Sequence, residues 1–255
     1  MEILNIELTI GIIGFVFVLV FAVIMIFFVF LGRMGFKSNF RRIRAYNKLI
    51  QAVDESIEEG KQVHISLGWG GLLGIRSAAT FLGLNLLKSL VQKTSLSDRP
   101  AITSSGESLQ DLISRDIIQS ADATMSLVKQ KNKSYSQIAG LTPFSYTVGT
   151  IPLIYNRNVS VNLLTGHFRS EVALITDSIE HSNTSMIAGS DNLISQAVMY
   201  ASAQEALIGE EFYAGGAYLR EDHVQNASLR TQDLIRWILI VIIILGAILR
   251  LSGSL

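Results

Sequence analysis

The feature that most constrains this chain is an uncharged run of 25 residues, Leu8 to Gly32. As a helix rising 1.5 Å per residue it is about 37 Å long, more than the roughly 30 Å hydrocarbon core of a bilayer. The leader "MEILNIEL" is acidic, and no small-residue cleavage site follows, so a cleaved signal peptide fits badly. A second apolar run, "WILIVIIILGAIL", covers Trp237 to Leu249, and 19 residues remain from Trp237 to the end if Arg250 snorkels. The expected organisation is therefore a transmembrane helix over 1–33, a folded domain over 34–234 and a second transmembrane helix over 235–255.

Basic residues set the expected orientation. Arg33, Lys37, Arg41, Arg42, Arg44 and Lys48 follow the first run, and none precedes it. Arg220, Arg230 and Arg236 precede the second, and only Arg250 lies beyond. By the positive-inside rule the middle domain is cytoplasmic and both termini are outside a cell membrane. The glycosylation sequons at Asn132, Asn158, Asn183 and Asn226 are then chance matches.

Composition excludes several function classes. The net charge is zero, which leaves no footprint for nucleic acid. The chain has no cysteine, so disulfides, thiolate metal sites and cysteine nucleophiles are out. His64, His167, His181 and His223 show no metal-ligand spacing, and no serine stands in a nucleophile-elbow setting. No catalytic residue, metal or cofactor is expected.

The middle domain has a rhythm. "FRRIRAYNKLIQAVDESIEEGK" reads as an amphipathic helix stopped at Gly60. "QVHISLGWGG", "PAITSSGE" and "TSMIAGSD" each read as a strand running into a turn of small residues, with a helix after it. Three such Rossmann-like units predict an α/β fold with a mainly parallel sheet. The last of these helices is expected within "NLISQAVMYASAQEALIGEEFYAGGAYL". Val159, Val161 and Leu163 predict a half-buried strand, "EVALIT" a buried one, and "FSYTVGTIPLIY" is open between strand and helix. Ser104 and Glu107 have the spacing of a capping box.

The strand-to-helix turns are the candidate site. In a parallel sheet they gather at the carboxyl edge, where backbone N–H groups can hold an anion. Gly68, Gly70, Gly71, Ser104, Ser105, Gly106, Gly189 and Ser190 could line one pocket there. The glycine spacing misses the dinucleotide fingerprint by one residue, and no Walker lysine follows. Tight turns and helix caps account for the same residues without a ligand. Glu210 and Glu211, adjacent on a helix, point about 100° apart and make no paired-carboxylate site. The small residues around them suit close packing.

"VHISLGWGG", "RPAITSSGE" and "LIGEEFYAGGAYL", with the final apolar helix, resemble a prokaryotic family of membrane proteins whose shared domain has no assigned function. The resemblance spans about 60–235, implies a bacterial or archaeal setting and carries over no catalytic residue. Function is then expected to be non-enzymatic: a structural or scaffold subunit in the lipid bilayer, homo-oligomeric or joined to other membrane-complex subunits. The alternative is a nucleotide- or anion-binding sensor or enzyme using the Gly/Ser turns.

Overall fold

The structure is a computed structural model describing residues 2–34, 40–74, 77–94, 97, 99–125, 135–156, 158–220 and 223–251. Lys37, the last five residues of the helix expected over "SLQDLISRDIIQSADATMSLVKQ" and the sequon at Asn132 lie outside the described residues. The chain divides into two compact units, a body of Arg41–Arg220 and a terminal unit of Met1–Phe40 with Glu221–Leu255.

In chain order, α1 (Glu2–Arg33) precedes α2 (Arg44–Glu58), β1 (Gln62–Gly68), α3 (Ser77–Thr94), β2 (Ile102–Ser105) and α4 (Ser108–Met125). Then come β3 (Tyr135–Ile138), α5 (Pro143–Ile154), β4 (Val159–His167), α6 (Val172–His181), β5 (Ser185–Ser190) and α7 (Leu193–Ser202). The chain closes with β6 (Glu205–Leu207), α8 (Glu210–Tyr213), α9 (Gly215–Arg220) and α10 (His223–Leu251).

In the terminal unit α1 packs along α10. Gly11–Arg33 and Val224–Leu251 are long and apolar enough to cross a membrane, and the most apolar 18-residue stretch of each has no buried residue. The apolar run at Trp237 is thus the later part of a helix that begins at His223.

The body is an α/β fold. All six strands are parallel, in the order β3-β2-β1-β4-β5-β6. β1 is followed in space by β2 on one side and β4 on the other, so the strand order reverses between β1 and β4, the position where doubly wound sheets open a crevice. α2, α3 and α4 pack side by side as one helical layer, and α5, α6 and α7 as the other. Between two layers a strand has no solvent face, which is why β1 and β4 are buried along almost their whole length. Val159, Val161 and Leu163 therefore belong to a central strand, not to a half-buried one.

Two further expectations are corrected. "EVALIT" is the start of α6, where Val172, Ile175, Thr176 and Ile179 are buried at helical spacing. Six residues were too short a window to show that period. The long stretch after β5 is not one helix. α7 stops at Ser202, β6 adds an edge strand, and Gly209 turns with φ of +59° before α8. "FSYTVGTIPLIY" resolves as helix because Thr142 and Ser145 form a reciprocal capping box with Pro143 in the first turn.

Candidate functional site

Gly68 ends β1 with φ of +74°, a conformation that favours glycine. Its N–H donates to the Tyr146 hydroxyl at 3.1 Å, and its carbonyl accepts from Gly106 N–H at 3.0 Å. The N–H of Trp69 donates to the His167 carbonyl at 2.9 Å. A Cβ on Gly70 would lie 2.5 Å from the Cβ of His167, and one on Gly106 would lie 2.7 Å from Trp69 Cα. The glycines of this turn thus let the exits of β1, β2 and β4 press backbone to backbone.

The turn's next donor is also taken. Leu72 N–H donates to Glu107 Oε2 at 2.9 Å, and the same carboxylate lies beside Gly71. Glu107 is the protein's own anion on its Gly-rich turn. It does not close a capping box, because Ser104 lies inside β2, fully buried.

The serines are likewise occupied. Ser105 hydrogen-bonds weakly to Asp111 at 3.4 Å, a carboxylate that also accepts from Ser136 at 2.6 Å and Arg115 at 2.7 Å. Ser190 Oγ accepts from the N–H groups of Phe168 and Asn192, each at 3.3 Å. Gly189 leaves room for the Phe212 ring, 2.6 Å from where a Cβ would sit. Gly68, Gly70, Gly71 and Gly106 thus meet as one cluster around the β1 turn. Gly189 serves packing at the neighbouring strand.

Two groupings were not visible in the sequence. At the end of β4, His167 Nδ1 lies 2.6 Å from Asp191 Oδ1, while its Nε2 is buried without a partner among the described residues. The spacing of 24 residues gives no signal; only the pairing of β4 with β5 brings the two ends together. Beside them Arg169 stacks 4.9 Å over Trp69, whose indole N–H donates to the Leu141 carbonyl at 2.7 Å.

The second grouping crosses the sheet. Asn162 Nδ2 donates to Thr184 Oγ1 at 2.8 Å, which turns its Oδ1 toward His64 Nδ1, also at 2.8 Å. His64 Nε2 is then the acceptor for Ser104 Oγ at 3.0 Å. Tyr146 joins Ser104 at 3.2 Å and Ser66 at 2.6 Å. Burial lowers the His64 pKa to about 4, partly offset by the Asn162 hydrogen bond, and burial raises that of Tyr146. Serine, imidazole and amide have the order of an activated nucleophile. All three are fully buried in the sheet, so no substrate reaches the hydroxyl. The network fixes the register of β1, β2 and β4.

A family described as a domain of unknown function, DUF6754, matches residues 5–254. No curated protein matches the chain. Among solved structures, the N-terminal domain of trehalose-6-phosphate phosphatase from Candida albicans is similar at 11% identity and a TM-score of 0.29. That match covers 77% of this chain and 46% of the other, and at that score it carries no argument.

Proposed function

The chain belongs to the DUF6754 family, and on that premise we propose that it is a non-enzymatic structural subunit, anchored in a cell membrane by α1 and α10, whose body associates with further copies of itself. The observation that carries this reading is a set of exposed apolar side chains at the carboxyl edge. Every helix that follows a strand begins at that edge. Leu73 after β1, Leu141 and Phe144 at the start of α5, and Leu193 and Ile194 in the first turn of α7 are all more than 60% exposed. Exposed apolar surface concentrated on one edge marks an association face. Beneath it Glu107 accepts from the Leu72 N–H, and Ser105 and Ser190 are hydrogen-bonded within the fold, which favours assembly over anion capture.

Arg41, Arg42, Arg44 and Lys48 at the start of the body support a cytoplasmic location, with both termini outside. Two anchors would hold all copies in one orientation in one plane, which suits a ring or dimer about an axis normal to the membrane.

The test is the mass of the full chain in nanodiscs and in mild detergent. A discrete oligomer that falls to monomer in Phe144→Asp/Leu193→Asp, with an unchanged circular dichroism spectrum, is the expected result. A monomeric wild type removes the proposal. Lys88→Cys, in a chain with no other cysteine, should react with an impermeant maleimide only after cells are lysed.

A further inference from the structure

At the amino edge of the sheet, opposite the glycine turns, the body holds a cavity of about 550 Å³. Its walls are the C-terminal end of α2, the start of β4 and the turn between α6 and β5. The size falls inside the range of small-molecule sites, roughly 300–1,000 Å³.

The lining is made of hydroxyls and amides. Ser56 on α2 and Ser160 on β4 carry hydroxyls shielded in the cavity wall, and neither finds a partner among the described residues. Ser56 is only 1% exposed. Buried hydroxyls are nearly always hydrogen-bonded, so two without partners around one cavity are hydrogen-bonding capacity held in reserve. Each serine has three staggered χ1 wells, so a side-chain rotation can re-aim its hydroxyl.

The turn between α6 and β5 is preorganised. Thr184 Oγ1 accepts from Asn162 Nδ2 and meets Ser182 Oγ at 2.8 Å, while Ser182 donates to the Ile179 carbonyl at 2.7 Å. Thr184 is thereby held by the His64–Asn162 network, the kind of supporting shell that fixes a binding group in place.

Charge narrows the ligand. Glu55 and Glu59 line the cavity, Lys61 spends its charge on Glu59 at 2.8 Å, and His181, also in the lining, faces Asp177 at 3.6 Å. An anion meets carboxylates with no surplus cation. Among the described residues no group of three His, Asp or Glu is placed to hold a metal. What remains is a molecule that both donates and accepts hydrogen bonds without charge.

We propose that this cavity binds a small uncharged polyhydroxylated molecule, a polyol or monosaccharide, whose hydroxyls engage Ser56, Ser160 and Thr184. The site lies at the other end of the strands from the apolar edge and stands independently of the assembly reading.

Polyols stabilise proteins generally by exclusion from their surface, so thermal shift alone is not diagnostic. Binding is read directly, by saturation-transfer NMR and calorimetry on the full chain in nanodiscs, with myo-inositol, glucose and glycerol as probes. Inorganic phosphate and spermidine are the charged comparisons. One neutral probe should bind saturably, and Ser56→Ala/Ser160→Ala should weaken it about tenfold or more through the loss of two hydrogen bonds. The same variant should keep or raise its melting temperature, because it removes hydroxyls that bond to nothing. Ser160→Ala alone serves if the double variant folds poorly. No saturable binding of any neutral probe overturns the proposal. So does binding that the variants leave intact, or binding confined to phosphate or spermidine.

Discussion

Glu107 holds the backbone N–H of Leu72 at 2.9 Å, so the Gly-rich turn after β1 is closed by a carboxylate from the turn after β2. A turn of this kind attracts anions through its N–H groups. Here the anion is covalently part of the fold. Glu107→Ala should therefore cost about 1–2 kcal/mol of stability, the scale of a partly exposed hydrogen bond to a charged group. It should also raise phosphate affinity at the vacated N–H above that of the wild type. Urea denaturation and phosphate titration check both halves. Equal phosphate binding by wild type and variant would refute the self-liganding role.

Gly70 and Gly71 stand side by side but should respond differently to a methyl group. At Gly70 the new Cβ meets His167 Cβ at 2.5 Å, which backbone on both sides holds in place. Gly70→Ala should cost about 2 kcal/mol or more, as overpacking of a tight contact does. At Gly71 the nearest atom is the Glu107 carboxylate at 3.2 Å, the end of a side chain that can shift. Gly71→Ala should stay within about 1 kcal/mol of wild type. Similar losses at the two positions would mean that the close approach of the β1 and β4 turns is not what selects glycine.

Much of the fold was legible because its signals are local. "VHISLG" and "MIAGS" are short β-like runs ending in glycine or serine, and they lie in β1 and β5. Legibility failed where a short window hid the period. "EVALIT" shows its helical face only when Ile179 is included. β6 and β3 have three and four residues, and their strand state comes from pairing with β5 and β2. The structure places the candidate glycines at one edge, while the Glu107–Leu72 contact, the Tyr146 centre and the His167–Asp191 pair were invisible. Their partners lie 24 to 80 residues away, and only strand order supplies them.

Tyr146 is the polar centre of the layer beneath β1. Its hydroxyl meets Ser66, Ser104 and the N–H of Gly68 inside a wall of Phe168, Val172 and Ile175. Tyr146→Phe keeps the ring and strands those partners in a site that water does not reach. The expected loss is about 2–3 kcal/mol, the penalty for buried groups left unsatisfied. Hydrogen exchange at the Gly68 amide should speed up more than at Leu163, which keeps its strand pairing. A loss spread evenly over the sheet would argue against a local role for the hydroxyl.

His64 should make the body acid-sensitive in a defined window. Its folded pKa of about 4 lies below the ordinary 6.5, chiefly because burial disfavours the imidazolium. The unfolded chain therefore binds a proton first as pH falls. Stability from this residue is complete above pH 6.5, declines as pH drops toward 4, and levels off below that. Across that span the loss amounts to about 3 kcal/mol for one proton. Urea midpoints measured from pH 7 to pH 4 should fall accordingly, and His64→Asn should flatten the slope even if its stability at pH 7 is lower. The wild-type imidazole should also stay neutral by NMR until near pH 4. An imidazole titrating near 6.5 in the folded chain would show that the His64–Asn162–Ser104 network is open to water.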